Sequence, residues 1–132
     1  MARRLIEYHG MALIPDEGAW FALNYVSGDR VAVEALPKRY EGSVPRALGN
    51  AIYALVTRVD FSALHRLRSD EVWHFYSGDA AELLLLHADG RSEVVRLGAD
   101  TLAGERAQFV VAAGTWMGAR PARDADEAYS FF

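Results

Sequence analysis

The chain's residue pattern predicts an all-β fold, a sandwich or barrel of short strands with one short N-terminal helix. Two observations carry this. Eight or more strand-length segments, rich in aromatic and apolar residues, are separated at short intervals by Gly, Pro, Asn and Asp turn signals. Beyond the N-terminus no helical period is sustained, and no internal repeat or low-complexity stretch interrupts the pattern. An up-and-down, lipocalin-like barrel is the alternative topology.

Arg3 to Met11 can form a helix of about two turns, too short to stand without docking, and Pro15-Asp16-Glu17-Gly18 turns the chain. Ala19 to Ser27 is the first strong strand, closed by Ser27-Gly28-Asp29. Val31 to Leu36 reads as a second strand halted by Pro37. Residues 37–50, with two prolines and two glycines, read as a loop that orders across a pocket mouth or at a partner surface. Further strands are expected at Ala51–Thr57, Phe61–Arg68, Glu71–Ser77, Ala81–His87, Arg91–Leu97, Gln108–Ala112 and Thr115–Arg120. The Ala88-Asp89-Gly90 segment marks a hairpin, and a last strand starts at Tyr129 and stops at Phe132.

At 132 residues the chain is one domain with room for a core. A net charge of −4 argues against nucleic acid as a partner. Thirteen of the fourteen basic residues are arginine, which reflects genome composition more than a phosphate site. No apolar run is long enough to span a membrane, and the first ten residues lack the apolar stretch of a secretory signal. The absence of cysteine excludes disulfides, thiolate metal ligands and cysteine nucleophiles. A cytoplasmic protein is the expectation.

The chemistry concentrates in Phe61 to Gly78, FSALHRLRSDEVWHFYSG. It reads as two adjoining strands joined at Ser69-Asp70. With side chains alternating, His65 and Leu67 share one face of the first strand, and Glu71, Trp73 and Phe75 share one face of the second. If both faces point inward, a histidine and a glutamate meet inside an apolar, aromatic chamber. His74 alternates with Glu71 and is expected outside.

These residues resemble the first motif of the cupin superfamily. That motif has a Gly, then a His-x-His, a Glu three or four residues later, and a closing Gly. His65, Glu71 and Gly78 keep its spacing, whereas Leu67 replaces the second histidine and Val59 stands at the leading glycine. Ala112 to Met117 is similar to the second motif, with Ala112 in place of its proline and Met117 in place of its histidine. More closely, the whole chain resembles a small cupin family catalogued as a domain of unknown function. The matching segments are Pro15 to Phe21, Phe61 to Gly78, Leu97 to Asp100 and Gln108 to Trp116. The resemblance implies a jelly-roll barrel (a double-stranded β-helix) that forms a homodimer. Members continue past the position of Phe132, so it also implies a shortened or missing terminal strand and an exposed neighbouring edge, with the last residues weakly paired or the gap covered by another chain.

The resemblance implies a metal site of three histidines and a carboxylate, of which this chain keeps His65 and Glu71. Leu67 cannot coordinate and Met117 is a soft, weak donor. No cofactor is therefore required, and a divalent ion would be held only loosely by His65 and Glu71. Two metal-free readings remain open. In one, Trp20, Tyr53, Leu67, Trp73, Phe75, Gln108 and Met117 line a small-molecule pocket in which His65 and Glu71 orient the ligand. In the other, Glu71 and His65 act as acid and base in an isomerase, epimerase or lyase. The bland alternative is a buried His65–Glu71 hydrogen bond with no further role. Glu17, in a turn, is within reach of a pocket mouth, but a turn carboxylate is ordinarily solvated and that is the expectation.

Overall fold

Turn residues cut the chain into thirteen strands and one helix in the computed structural model, which describes residues 1–132. The helix, α1, spans Ala2–His9. It ends at Gly10, whose φ of 60° lies in the left-handed region that glycine enters freely. Gly10 N–H donates to the Glu7 carbonyl and Met11 N–H to the Ile6 carbonyl. Buried Met11 then packs in the cluster that Ile6 touches, completing a Schellman stop.

The strands are β1 (Ala12–Ile14), β2 (Gly18–Val26), β3 (Arg30–Val31), β4 (Arg46–Ala47), β5 (Asn50–Thr57), β6 (Ser62–Arg66) and β7 (Glu71–His74). After these come β8 (Ser77–Gly78), β9 (Ala81–Leu86), β10 (Ser92–Leu97), β11 (Gln108–Val111), β12 (Trp116–Pro121) and β13 (Tyr129–Phe131). Nine of them form one curled sheet in the order β10-β9-β12-β6-β2-β5-β13-β8, with β1 added beside β2. β7 and β11 make a separate antiparallel ribbon, and β3 pairs with β4. This curled antiparallel sheet, closed by the β7–β11 ribbon, is the barrel expected from the sequence.

Two apolar clusters hold it. Inside the curl, Leu83 and Leu85 of β9, Leu97, Met117, Val56 and Ala19 meet Trp73 of β7, Val111 of β11 and Phe132. Each buried leucine contributes about 1.5–3 kcal/mol relative to exposure. On the other face of β2 and β5, Leu5 and Ile6 of α1 cover Trp20, Tyr53, Leu55 and Phe131. That docking stabilises a helix too short to persist alone.

Three expectations change. β6 and β7 are not paired neighbours. β12 and β2 occupy the edges of β6, so Leu67–Asp70 carries the chain to the opposite wall, where β7 pairs with β11. Val31 to Leu36 is not one strand, because a 3₁₀ turn at Val33–Ala35 leads into Pro37, which has no N–H for a ladder. Nor are the last residues weakly paired. β13 bonds to β5 on one side and β8 on the other, the Phe132 and Ala54 backbones exchange hydrogen bonds, and Phe131 and Phe132 are buried. The loop at 37–50 is seated by buried Tyr40 and by Arg39, whose Nε donates to the Arg68 carbonyl at 2.7 Å.

Candidate functional site

His65 sits on the inward face of β6 with its ring held at Nδ1 and in contact with a carboxylate at Nε2. Nδ1 lies 2.8 Å from the Ala63 carbonyl, which can only accept, so Nδ1 carries a hydrogen. Nε2 lies 3.2 Å from Oε1 of Glu17. The imidazole and the Glu17 carboxylate are thus in direct contact inside the barrel wall. Both side chains are largely buried, at 17% and 26% exposure.

Glu17 is the residue sequence reasoning placed in solvent. Its turn aims it inward because Asp16 and Gly18, on either side, both have positive φ. The Glu17 carbonyl also accepts from Ala63 N–H at 2.7 Å, fastening the turn to β6. Neither composition nor periodicity marks this aim, which the backbone dihedrals of the turn set.

Glu71 faces inward from β7, two residues from Trp73, as alternation requires. Burial pushes its carboxyl above the ordinary carboxylate range. The charge of His65 pulls it down, the Glu17 carboxylate pushes it up, and the Trp73 indole pulls it down slightly. The Glu71–His65 hydrogen bond is not made: Glu17 holds Nε2, and Oε2 of Glu71 has no partner. The Trp73 indole N–H is also unpartnered, near enough to favour an ionised Glu71 without completing a bond to it. Two shielded polar atoms without partners are unusual in a folded chain. Both side chains line a groove of about 450 Å³ between the first half of β5 and the free edge of β7, with Asn50, Ala54, Leu67 and Phe132.

The other expected pocket residues divide. Leu67 and Trp73 line this groove. Phe75 and Met117 belong to the inner core, and Met117 is fully buried opposite His65 in the β6–β12 register. Trp20 and Tyr53 are not brought to the chamber. They occupy the outer face of β2 and β5 under α1, where Trp20 Nε1 donates to Asp60 at 2.9 Å. Gln108 is exposed on the outer face of the ribbon, 3.3 Å from Nδ1 of His74. Asp70 does more than shape its own turn, since its Oδ1 accepts from Ala113 N–H at 2.8 Å and ties the β11–β12 turn to the β6–β7 link.

The donor set does not fit a tightly held metal. Leu67 offers no lone pair, Met117 only a packed thioether, and no three His, Asp or Glu side chains converge on one point. No helix is long and apolar enough to cross a membrane.

A family model described as "Cupin superfamily (DUF985)" matches residues 3–132. A hypothetical protein from Leishmania major superposes with a TM-score of 0.84 at 28% identity, covering 99% of this chain and 77% of that one. A crystal structure of a Shewanella oneidensis protein superposes at 0.81, also at 28% identity, covering 98% and 73%. No curated protein matches the chain. With the barrel, the motif and a match spanning nearly every residue in place, the chain belongs to the cupin superfamily, in its family of unknown function DUF985.

Proposed function

We propose that this cupin binds a small organic molecule in the groove between β5 and β7, with Glu71 and Trp73 as its polar anchors. The observation that carries the reading is the pair of orphaned polar atoms, Oε2 of Glu71 and Nε1 of Trp73, on side chains that line one groove. Shielded groups of this kind cost about 1–3 kcal/mol each while unmatched, and a ligand that pairs them recovers part of that. A metabolite screen by thermal shift tests it. A ligand at a hundred times its Kd raises stability by about 2.7 kcal/mol, and a screen in which nothing shifts the transition counts against the reading.

The second reading is metal-free acid–base chemistry, an isomerase, epimerase or lyase. It is supported by a carboxyl held above its ordinary range near a histidine that itself touches Glu17. Once a ligand is in hand, Glu71→Gln divides the readings: turnover lost with binding kept favours catalysis.

No resident cofactor enters either reading, and His65 with Glu71 would hold a divalent ion only loosely. Protein purified without affinity resin and dialysed is expected to carry well under one metal ion per chain. A stoichiometric ion by elemental analysis would reverse this.

A homodimer in the cytoplasm completes the proposal. The outer face of the large sheet carries Leu64, Leu84, Val94 and Trp116, with Val94 at 61% exposure. Its rim holds both signs, Glu82 paired to Arg120 and Arg96 paired to Glu105. A two-fold interface sets one patch against itself, so a mixed-sign rim is self-complementary where a single-sign rim would repel. Val94→Lys is expected to give a folded monomer by light scattering. A wild-type monomer, or an unchanged dimer in the variant, would count against this face.

A further inference from the structure

The groove's charge pattern says what kind of molecule it takes. No lysine or arginine lines it, and Asp70 and Glu71 do. Asp70 is engaged by the Ala113 N–H, and His74, at the outer edge, faces Gln108. His65 lies against Glu17. No lysine or arginine of the groove wall is therefore placed to receive a carboxylate or phosphate. The unmatched groups are one acceptor, Oε2 of Glu71, and one donor, the Trp73 indole N–H. They lie two residues apart on one strand face and hence side by side. Trp73 stands edge-on to Phe132 at 4.9 Å between ring centroids, and Phe75 packs on the same ring at 6.1 Å, so this wall is aromatic.

Resting on the binding reading above, we infer that the groove selects a neutral or cationic molecule with an N–H or O–H donor for Glu71 beside a lone pair for Trp73, and that it rejects anions. An amide edge on a flat apolar body satisfies both groups at once. A cation satisfies Glu71 alone. An anion gains one hydrogen bond from Trp73 and faces two carboxylates, Glu71 and Asp70, with no counter-charge in the groove wall.

Benzamide, benzamidinium and benzoate share one flat shape and differ in charge, so they isolate this property. Each would be titrated at pH 7 into the ¹⁵N-labelled full chain while the three indole N–H resonances are followed. Trp20→Phe and Trp116→Phe assign the other two signals without disturbing the groove. Benzamide is expected to move the Trp73 signal in a saturable way. Benzamidinium is expected to bind comparably or more weakly, and to lose affinity in Glu71→Gln. Benzoate is expected to bind at least about 30-fold more weakly than benzamide, a gap set by like-charge opposition. Benzoate binding as tightly as benzamide at Trp73 would overturn the inference and leave the binding reading standing. Silence at Trp73 with all three probes would overturn both.

Discussion

Gly78→Ala is expected to cost about 3–5 kcal/mol, the upper range for a single substitution, and to lower the melting temperature by about 10 °C or more. Gly78 closes the first motif, and the structure gives that glycine a mechanical reason. Its φ is 100°, where an L side chain is strained. A Cβ there would also overlap the Tyr129 carbonyl and press on the Tyr129 ring. The surroundings cannot give way cheaply. Asp79 N–H donates to the Tyr129 carbonyl at 2.7 Å, and Ser130 Oγ donates to the Asp79 carbonyl at 2.7 Å. The Asp79 carboxylate accepts from Tyr129 N–H and from Arg123, whose guanidinium holds that carboxyl below its ordinary range. Moving Gly78 therefore loosens β8 from β13, and with β13 the buried Phe131 and Phe132. Gly90→Ala isolates the backbone part of the effect. Gly90 has a φ of 86° but open space around it, so it should cost only about 1 kcal/mol. Equal losses from the two variants, by chemical denaturation, would show that β8 and β13 are not clasped as described.

The strands were legible because most of this chain obeys a period of two between unambiguous turns. β9 illustrates it: Ala81, Leu83 and Leu85 are buried, while Glu82, Leu84 and Leu86 are half-buried on the other face. The site was half legible for the same reason. Glu71 and Trp73 had to share a face, and they do. What alternation cannot reveal is which face is inside when both are covered. Ala19 to Leu23 is apolar at every position because the barrel core takes one side of β2 and α1 the other. Trp20 and Tyr53 therefore lie on the α1 side, opposite to the chamber side expected of them. Pairing order was equally hidden. The two-residue link at Ser69-Asp70 suggests a hairpin, but both edges of β6 are claimed by distant segments, and only the fold says so. Glu17 escaped because its inward aim comes from backbone dihedrals in a turn, for which composition carries no signal.

Glu71→Gln is expected to stabilise the ligand-free protein at pH 7 and to lose that advantage in acid. The wild-type carboxyl is buried, its Oε2 has no partner, and burial outweighs the attraction of His65. Its folded-state proton affinity is therefore raised above that of the unfolded chain. The sign follows from linkage. Below the unfolded-state value both states are protonated and the folded carboxyl carries no charge penalty. As pH rises from there through the raised folded value, the unfolded chain ionises freely while the folded chain ionises at a cost, so stability falls. Glutamine keeps the shape and has no such pH dependence. The variant's advantage at pH 7 should be about 1–2 kcal/mol, the size of one unmet desolvation penalty, or about 3–8 °C in melting temperature. By pH 4 the two proteins should converge. Asp79, held low by Arg123, loses stabilisation as pH falls, but it does so in both proteins and cancels in the difference. A variant less stable than wild type at pH 7 would mean that Glu71 finds a partner in solution, and the case for an anchor awaiting a ligand would fall with it. A stabilising result would carry the opposite weight. A chain that holds a carboxylate where it weakens the fold has that group available for something other than the fold, and the donor nearest to it, the Trp73 indole, is unmatched too.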